Sequence, residues 1–185
     1  MKAKFQNKYR IESARLKKWD YGSNGGYFIT ICTSGREHLF GEIKDGGLYL
    51  SDIGLLAQKY WKEIPNRFPH VHIGEYVIMP NHMHGIIEID DPYSFIKKDD
   101  DGIVDRDGIN TVCTERNPMI GINISRIIQW YKGRVTFESR KINPKFGWQS
   151  RFYDHIIKDK ESYKRISNYI RYNPKNWKED KFGAR

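Results

Sequence analysis

The stretch "YVIMPNHMHGIIEI", residues 76–89, reads as the end of one apolar strand, a turn around Pro80 and Asn81, and a second strand. Side chains alternate faces along a strand, so His82 and His84 share one face, about 6.6–7 Å apart along the backbone, with Met83 on the other. Two imidazoles pointing the same way inside an apolar run need a chemical reason. One reading is a bidentate clamp, because neutral imidazole is the commonest protein ligand for a metal. The other is a pair of hydrogen-bonded histidines on a half-exposed sheet face. His70 and His72, in "HVH", repeat the spacing beside a loop and without apolar walls, which makes them the weaker candidate.

Working outward, "YFITICT", Tyr27–Thr33, has the β-branched and aromatic content of a strand. "LFGEIKDGGLYLS" predicts a hairpin turning at Asp45-Gly46-Gly47, residues that tolerate positive φ. "SDIGLLAQKYWKEIP" predicts a helix capped by Ser51, with Ile53, Leu56, Tyr60 and Ile64 at helical spacing and Pro65 as its end. A helix from Ile120 carries Ile124, Ile127, Ile128, Tyr131, Val135 and Phe137 on one side. "FGWQSRFYDHII" is an aromatic connection with room for a short strand, and a last helix over Lys158–Tyr172 stops at Asn173-Pro174. Between them "DDPYSFIKKDDDGIVDRDGINTVCTERNP" is acidic and without period, a flexible insertion over 91–118. The order predicts one α+β domain over residues 1–185, with helices packed on an antiparallel sheet.

Composition bounds the function. The chain has 185 residues and a net charge of +9, which favours a polyanionic partner or merely a soluble surface. Cys32 and Cys113 show no paired spacing, so neither a disulfide framework nor a thiolate metal site is expected. The N-terminal "MKAKFQNKYRIESARLKKW" lacks the apolar segment of a signal peptide, and no window is long enough to span a bilayer. A cytoplasmic protein is the expectation, with no membrane partner.

Downstream, "ISNYIRYNP" places Tyr169 and Asn173 four residues apart, stacked on one helix face. A phenol and a carboxamide so placed could present a nucleophile and an oxygen ligand to one point; equally, they could be packing and a helix stop. Taken in order, "VIMPNHMHGIIEI", "ISRIIQWYKGRVTFESR", "WQSRFYDHII" and "YIRYNP" resemble the single-tyrosine transposases of the histidine-hydrophobe-histidine type. The REP-associated tyrosine transposase branch is the best match, from about Tyr27 to about Trp177. The resemblance implies a ferredoxin-like sheet with His82 and His84 on its central strand and Tyr169 as nucleophile on a C-terminal helix. It also implies Asn173 as the third metal ligand. Many members carry glutamine there, so the asparagine points to that branch or to weaker ligation. His155 matches another recurrent position, in the sheet or the site wall.

The activity implied by that resemblance is cleavage and rejoining of single-stranded DNA with hairpin or repeat ends, through a 5′-phosphotyrosine and a free 3′-hydroxyl. Mg²⁺ or Mn²⁺ on His82, His84 and Asn173 is implied, although the ligand types alone leave zinc open. An ordinary phenol, with a pKa of about 10, is ionised in only about one molecule in a thousand at neutral pH, so positioning or a nearby positive charge must activate it. Tyr172 and Tyr163 are rival nucleophiles, less well phased. Lys132, Arg134, Arg140, Lys141, Lys145 and Arg151, with Trp148 and Phe152, form a candidate DNA surface or a solvated helix face over buried aromatics. Relatives include both monomers and homodimers that exchange the tyrosine helix. The alternatives are a catalytically silent DNA-binding regulator of the same fold, and a zinc hydrolase for which Glu88 would be a poorly placed base.

Overall fold

The computed structural model describes residues 24–90 and 123–177, together with the backbone of 4–5 and 8–9. Those two short pieces are β1 (Lys4–Phe5) and β2 (Lys8–Tyr9), which pair antiparallel. The acidic insertion lies outside the described residues.

Four strands build the main sheet: β3 (Gly25–Cys32), β6 (Val71–Ile78), β7 (His82–Ile89) and β8 (Tyr153–Ile157), in the spatial order β6-β7-β3-β8 with every pairing antiparallel. Between β3 and β6 come the hairpin β4 (Gly41–Lys44) and β5 (Gly47–Leu50), then α1 (Asp52–Lys62) and α2 (Ile64–Arg67). Between β7 and β8 comes α3 (Ile124–Ser139). Strand-helix-strand, twice over, with the first and third main strands adjacent in the middle, is the ferredoxin-like α+β arrangement. A last helix, α4 (Lys160–Tyr172), comes after β8. Among the described residues no helix is long and apolar enough to cross a membrane.

Local chemistry accounts for the boundaries. Ser51, Asn123 and Asp159 each accept a hydrogen bond from the backbone N–H three residues on, which caps α1, α3 and α4. The β4–β5 turn uses Asp45 at φ 51° and Gly46 at φ 75°, the left-handed pair that matches strand twist. Pro65 does not stop the helical run as expected. It sits in the first turn of α2, where its missing N–H costs nothing. Phe137 also departs from expectation: it is 60% exposed, because the buried stripe of α3 runs Ile124, Ile127, Ile128, Tyr131 and Val135 and position 137 is out of phase with it.

The sheet has two unlike faces. Tyr27, Ile29 and Ile31 of β3 and Met83, Ile87 and Ile89 of β7 are buried against α1 and α3 in the main core. Gly85 belongs to that face, and a Cβ built on it would lie 2.3 Å from Cζ2 of fully buried Trp61. The indole of α1 therefore rests directly on the backbone of β7. The opposite face carries His82, His84, Ile86 and Glu88 and receives α4. Gly85→Ala is expected to destabilise the fold by about 1–3 kcal/mol through overpacking, read as a lowered midpoint in urea unfolding with unchanged slope; an unchanged midpoint would mean Trp61 has room to move.

Candidate active site

β7 is an interior strand, hydrogen-bonded on both sides, and both its histidines are buried, His82 at 0% exposure and His84 at 1%. A half-exposed histidine pair is thus not what the fold contains. Each ring is held from behind. His82 Nδ1 lies 2.7 Å from Asn81 Oδ1, and a carboxamide oxygen only accepts, so Nδ1 carries the hydrogen and Nε2 keeps a lone pair. His84 Nδ1 lies 2.8 Å from Thr30 Oγ1, on the residue directly opposite it in register on β3. The two Nε2 atoms face each other at 3.1 Å. Burial, and after it the positive charge of Arg36, pulls the His82 pKa down to about 3, so this imidazole is neutral around pH 7.

Helix α4 brings the phenol. Tyr169 Oη is 3.1 Å from His84 Nε2, and the side chain is 44% exposed, so it is reachable from solvent while touching the histidine. Phe28 orders both rings, stacking on His84 at 5.3 Å between centroids and meeting Tyr169 edge-on at 6.0 Å. Two contacts farther along fix the helix on the sheet: Tyr163 donates to Glu88 Oε1 at 2.9 Å, and Arg171 is paired with Glu75. Burial, with help from the Glu88 hydrogen bond, raises the Tyr163 pKa to about 12, so this rival phenol is an anchor held in its protonated form. Glu88, bound in turn by Tyr163, is occupied as an acceptor. Tyr172 is 49% exposed, with Lys175 over its ring. Asn173 caps α4, one turn beyond Tyr169, and is 2% exposed.

Other walls went unread in the sequence. Trp177 stacks on His82 at 6.0 Å with an interplanar angle of 18°, and meets His38 at 5.6 Å. Phe28 and Thr30 could have been found from strand alternation, since they occupy the face of β3 opposite to Ile29 and Ile31. His155 stands in register with Phe28 and so shares the histidine face, at the exposed edge strand β8. His72, of the second histidine pair, bonds Asp90 at 2.9 Å on the surface.

The basic and aromatic residues of the expected DNA surface lie around α3 and the connection after it. Lys132 Nζ reaches the carbonyls of Gln149 and Arg151 at 3.0 and 3.2 Å, and burial lowers its pKa. Arg134 approaches Tyr60 Oη, and Arg140 Nε donates to the Phe146 carbonyl. Trp148 is half-buried against Phe40, Phe146 and Tyr131, and its Nε1 donates to α3. Phe152 packs against the core as well, while Arg151 is exposed at φ 69°.

The histidine pair suits a cation. The two Nε2 atoms lie 3.1 Å apart at the open side of the pair, with Asn81 Oδ1 behind one ring and Thr30 Oγ1 behind the other, so both rings offer a nitrogen to the same point. Hydrogen bonds behind each ring are also what fixes tautomer and aim in histidine metal sites. Among the described residues no group of three or more His, Cys, Asp or Glu side chains completes a site.

A ferredoxin-like sheet with paired imidazoles on an inner strand and a phenol brought to them by a terminal helix is the setting in which the comparisons fall. The structure matches that of a REP-associated tyrosine transposase bound to a REP hairpin, with TM-score 0.55 and 20% identity, covering 89% of this chain and 73% of that one. The fold is the one the motif resemblance implied. A protein of Deinococcus radiodurans R1, provisionally described as a transposase, aligns at TM-score 0.47 and 9% identity over 87% of this chain and 96% of its own, too loosely to bear on function. The chain belongs to the family of an uncharacterized protein of Haemophilus influenzae (strain ATCC 51907 / DSM 11121 / KW20 / Rd), 40% identical over 174 residues that span 91% of this chain and 90% of the relative. No protein-family model matches it.

Thr30→Val removes the oxygen behind His84 while keeping a β-branched strand residue. It is expected to weaken Mn²⁺ binding by about 10–100-fold in titration calorimetry; unchanged affinity would place the ion away from His84.

Proposed function

We propose that this protein is a tyrosine transposase that cleaves and rejoins single-stranded DNA, with Tyr169 as its nucleophile. The observation that carries the reading is the 3.1 Å contact between Tyr169 Oη and His84 Nε2, made between residues 85 positions apart within one chain. Its fold is shared with a transposase bound to a REP hairpin, which supports single-stranded DNA with hairpin or repeat ends as the substrate.

His82, His84 and Asn173 would hold a divalent ion, Mg²⁺ or Mn²⁺, which when bound polarises a non-bridging oxygen of the scissile phosphate. Imidazole is a donor that Mg²⁺ takes less readily than a first-row transition ion does, which favours Mn²⁺ of the two. All three donors are neutral, so none of them offsets the ion's double charge. Tyr169 attacks phosphorus through Oη: the P–Oη bond forms, the P–O3′ bond breaks, and the phenolic proton is released as the departing 3′-oxygen gains one. The phosphoester is kept as 5′-phosphotyrosine, so attack by a 3′-hydroxyl reverses the step without ATP. Phe28 limits where the phenol can swing, and Tyr163 and Arg171 keep its helix on the sheet, which is the positioning such an attack demands. Exposed basic side chains such as Arg134, Arg140 and Arg151 would follow the DNA backbone, each phosphate contact steepening the salt dependence by about 0.7 in log K.

The test is incubation with labelled single-stranded oligonucleotides carrying the inverted repeats that flank the gene, with Mn²⁺, followed by denaturing electrophoresis. The wild-type chain is expected to yield a covalent protein–DNA adduct. Tyr169→Phe should abolish the adduct with DNA affinity retained, and EDTA should suppress it until Mn²⁺ is restored. DNA binding without any adduct would instead identify a regulator; an adduct undiminished in Tyr169→Phe would assign the nucleophile to another residue.

A further inference from the structure

Resting on the transposase reading above, we propose that Arg36 is a further catalytic residue, its guanidinium contacting a non-bridging oxygen of the scissile phosphate beside the His82–His84 pair. The turn Ser34–Arg36 comes directly after β3, and two of its residues are left-handed, Gly35 at φ 62° and Arg36 at φ 58°. Glycine takes that conformation freely. Arginine does not, so its placement there is enforced by the surroundings, and enforced backbone outliers concentrate at working sites.

The enforcing contacts lead to the histidines. Thr33, fully buried, pairs its backbone N–H with the Asn81 carbonyl at 2.9 Å. Its hydroxyl lies 2.7 Å from the Glu37 carbonyl and 2.9 Å from that of Asn81, sharing one hydrogen between them. Arg36 N–H closes the turn on the Thr33 carbonyl at 3.1 Å, and Ser34 N–H ties it to Gly147 at 2.9 Å. Asn81 thus holds the arginine turn with its backbone while its side chain aims His82. Two residues past Arg36, His38 meets the same Trp177 ring that stacks on His82, so the turn borders the histidine site.

Tyrosine attack builds negative charge on the non-bridging oxygens as phosphorus becomes five-coordinate. A planar guanidinium, always charged and offering paired N–H donors, is the side chain that matches two such oxygens, and a rigid mounting lets it act without reorganisation. The imidazoles and the carboxamide supply no charge of their own. Arg36 does.

The experiment compares wild type, Arg36→Gly and Arg36→Lys on a hairpin oligonucleotide from the flanking repeats, made with either an ordinary scissile phosphodiester or a methylphosphonate, in which one charged oxygen is a neutral methyl. Arg36→Gly keeps the positive φ, and its melting temperature is expected to match or exceed that of wild type. On the phosphodiester its adduct should form about 100–1000-fold more slowly at saturating DNA, with binding changed far less, and Arg36→Lys should recover part of the rate. On the methylphosphonate, which starts uncharged and has one non-bridging oxygen fewer to stabilise, the loss caused by Arg36→Gly should shrink. A wild-type rate in Arg36→Gly, or an equal loss on both substrates, overturns the assignment of Arg36 alone. Absence of any adduct from the wild-type chain overturns the transposase reading and this proposal together.

Discussion

The register of β7 against β3 is the constraint on which the site depends. With Thr30 opposite His84 and Cys32 opposite His82, the imidazoles face α4, and Gly85 faces Trp61. A slip of one residue would exchange the two faces, driving both histidines into the apolar core and lifting Met83 and Ile87 out of it. Such a slip is opposed from both sides, because β7 also pairs with β6 and because only glycine fits under the indole. The aim of two ring nitrogens is therefore set by hydrophobic packing on the far side of the sheet.

Much of this was legible in the chain itself. Alternation in "NHMHGIIEI" placed both histidines on one face, Ser51 was readable as a helix cap, and the order of elements indicated α+β. The pairing of Tyr169 with His84 came from a motif resemblance; spacing along the helix left it open. The contacts that orient the rings were not legible. Thr30 and His84 are 54 residues apart, and nothing in either segment specifies their register until the sheet forms. Phase errors had the same origin: Phe137 lies two positions past Val135, enough to turn it from core to solvent. Lys132 and Trp148 read as a basic and aromatic surface, yet tertiary contacts draw the lysine to backbone carbonyls and the indole against Phe40 and Phe146. Burial of long amphipathic side chains depends on which carbonyls end up within reach, and local sequence does not encode that.

The chemistry around the histidines is unusual in its charge. The ring-holding partners, Asn81 and Thr30, are neutral, as is Asn173. A carboxylate behind or beside a metal ligand strengthens binding but adds negative charge beside it. Neutral partners add none, so under the function proposed above an anionic substrate meets no repulsion from the groups that hold the rings. The acidic side chains that do lie on this face, Glu88 and Glu75, are engaged in holding α4.

Those two anchors differ in kind. Tyr163–Glu88 is a partly buried hydrogen bond, whereas Arg171–Glu75 joins side chains 58% and 38% exposed. Mobile ions screen the second and barely reach the first. An exposed pair contributes up to about 1 kcal/mol, so loosening it changes the docked fraction of the helix end by at most about fivefold. Ionic strength thus enters this protein twice: steeply, through the counterions that any bound polynucleotide displaces, and gently, through the tether nearest Tyr169. Rates and affinities would then respond to added salt along different curves.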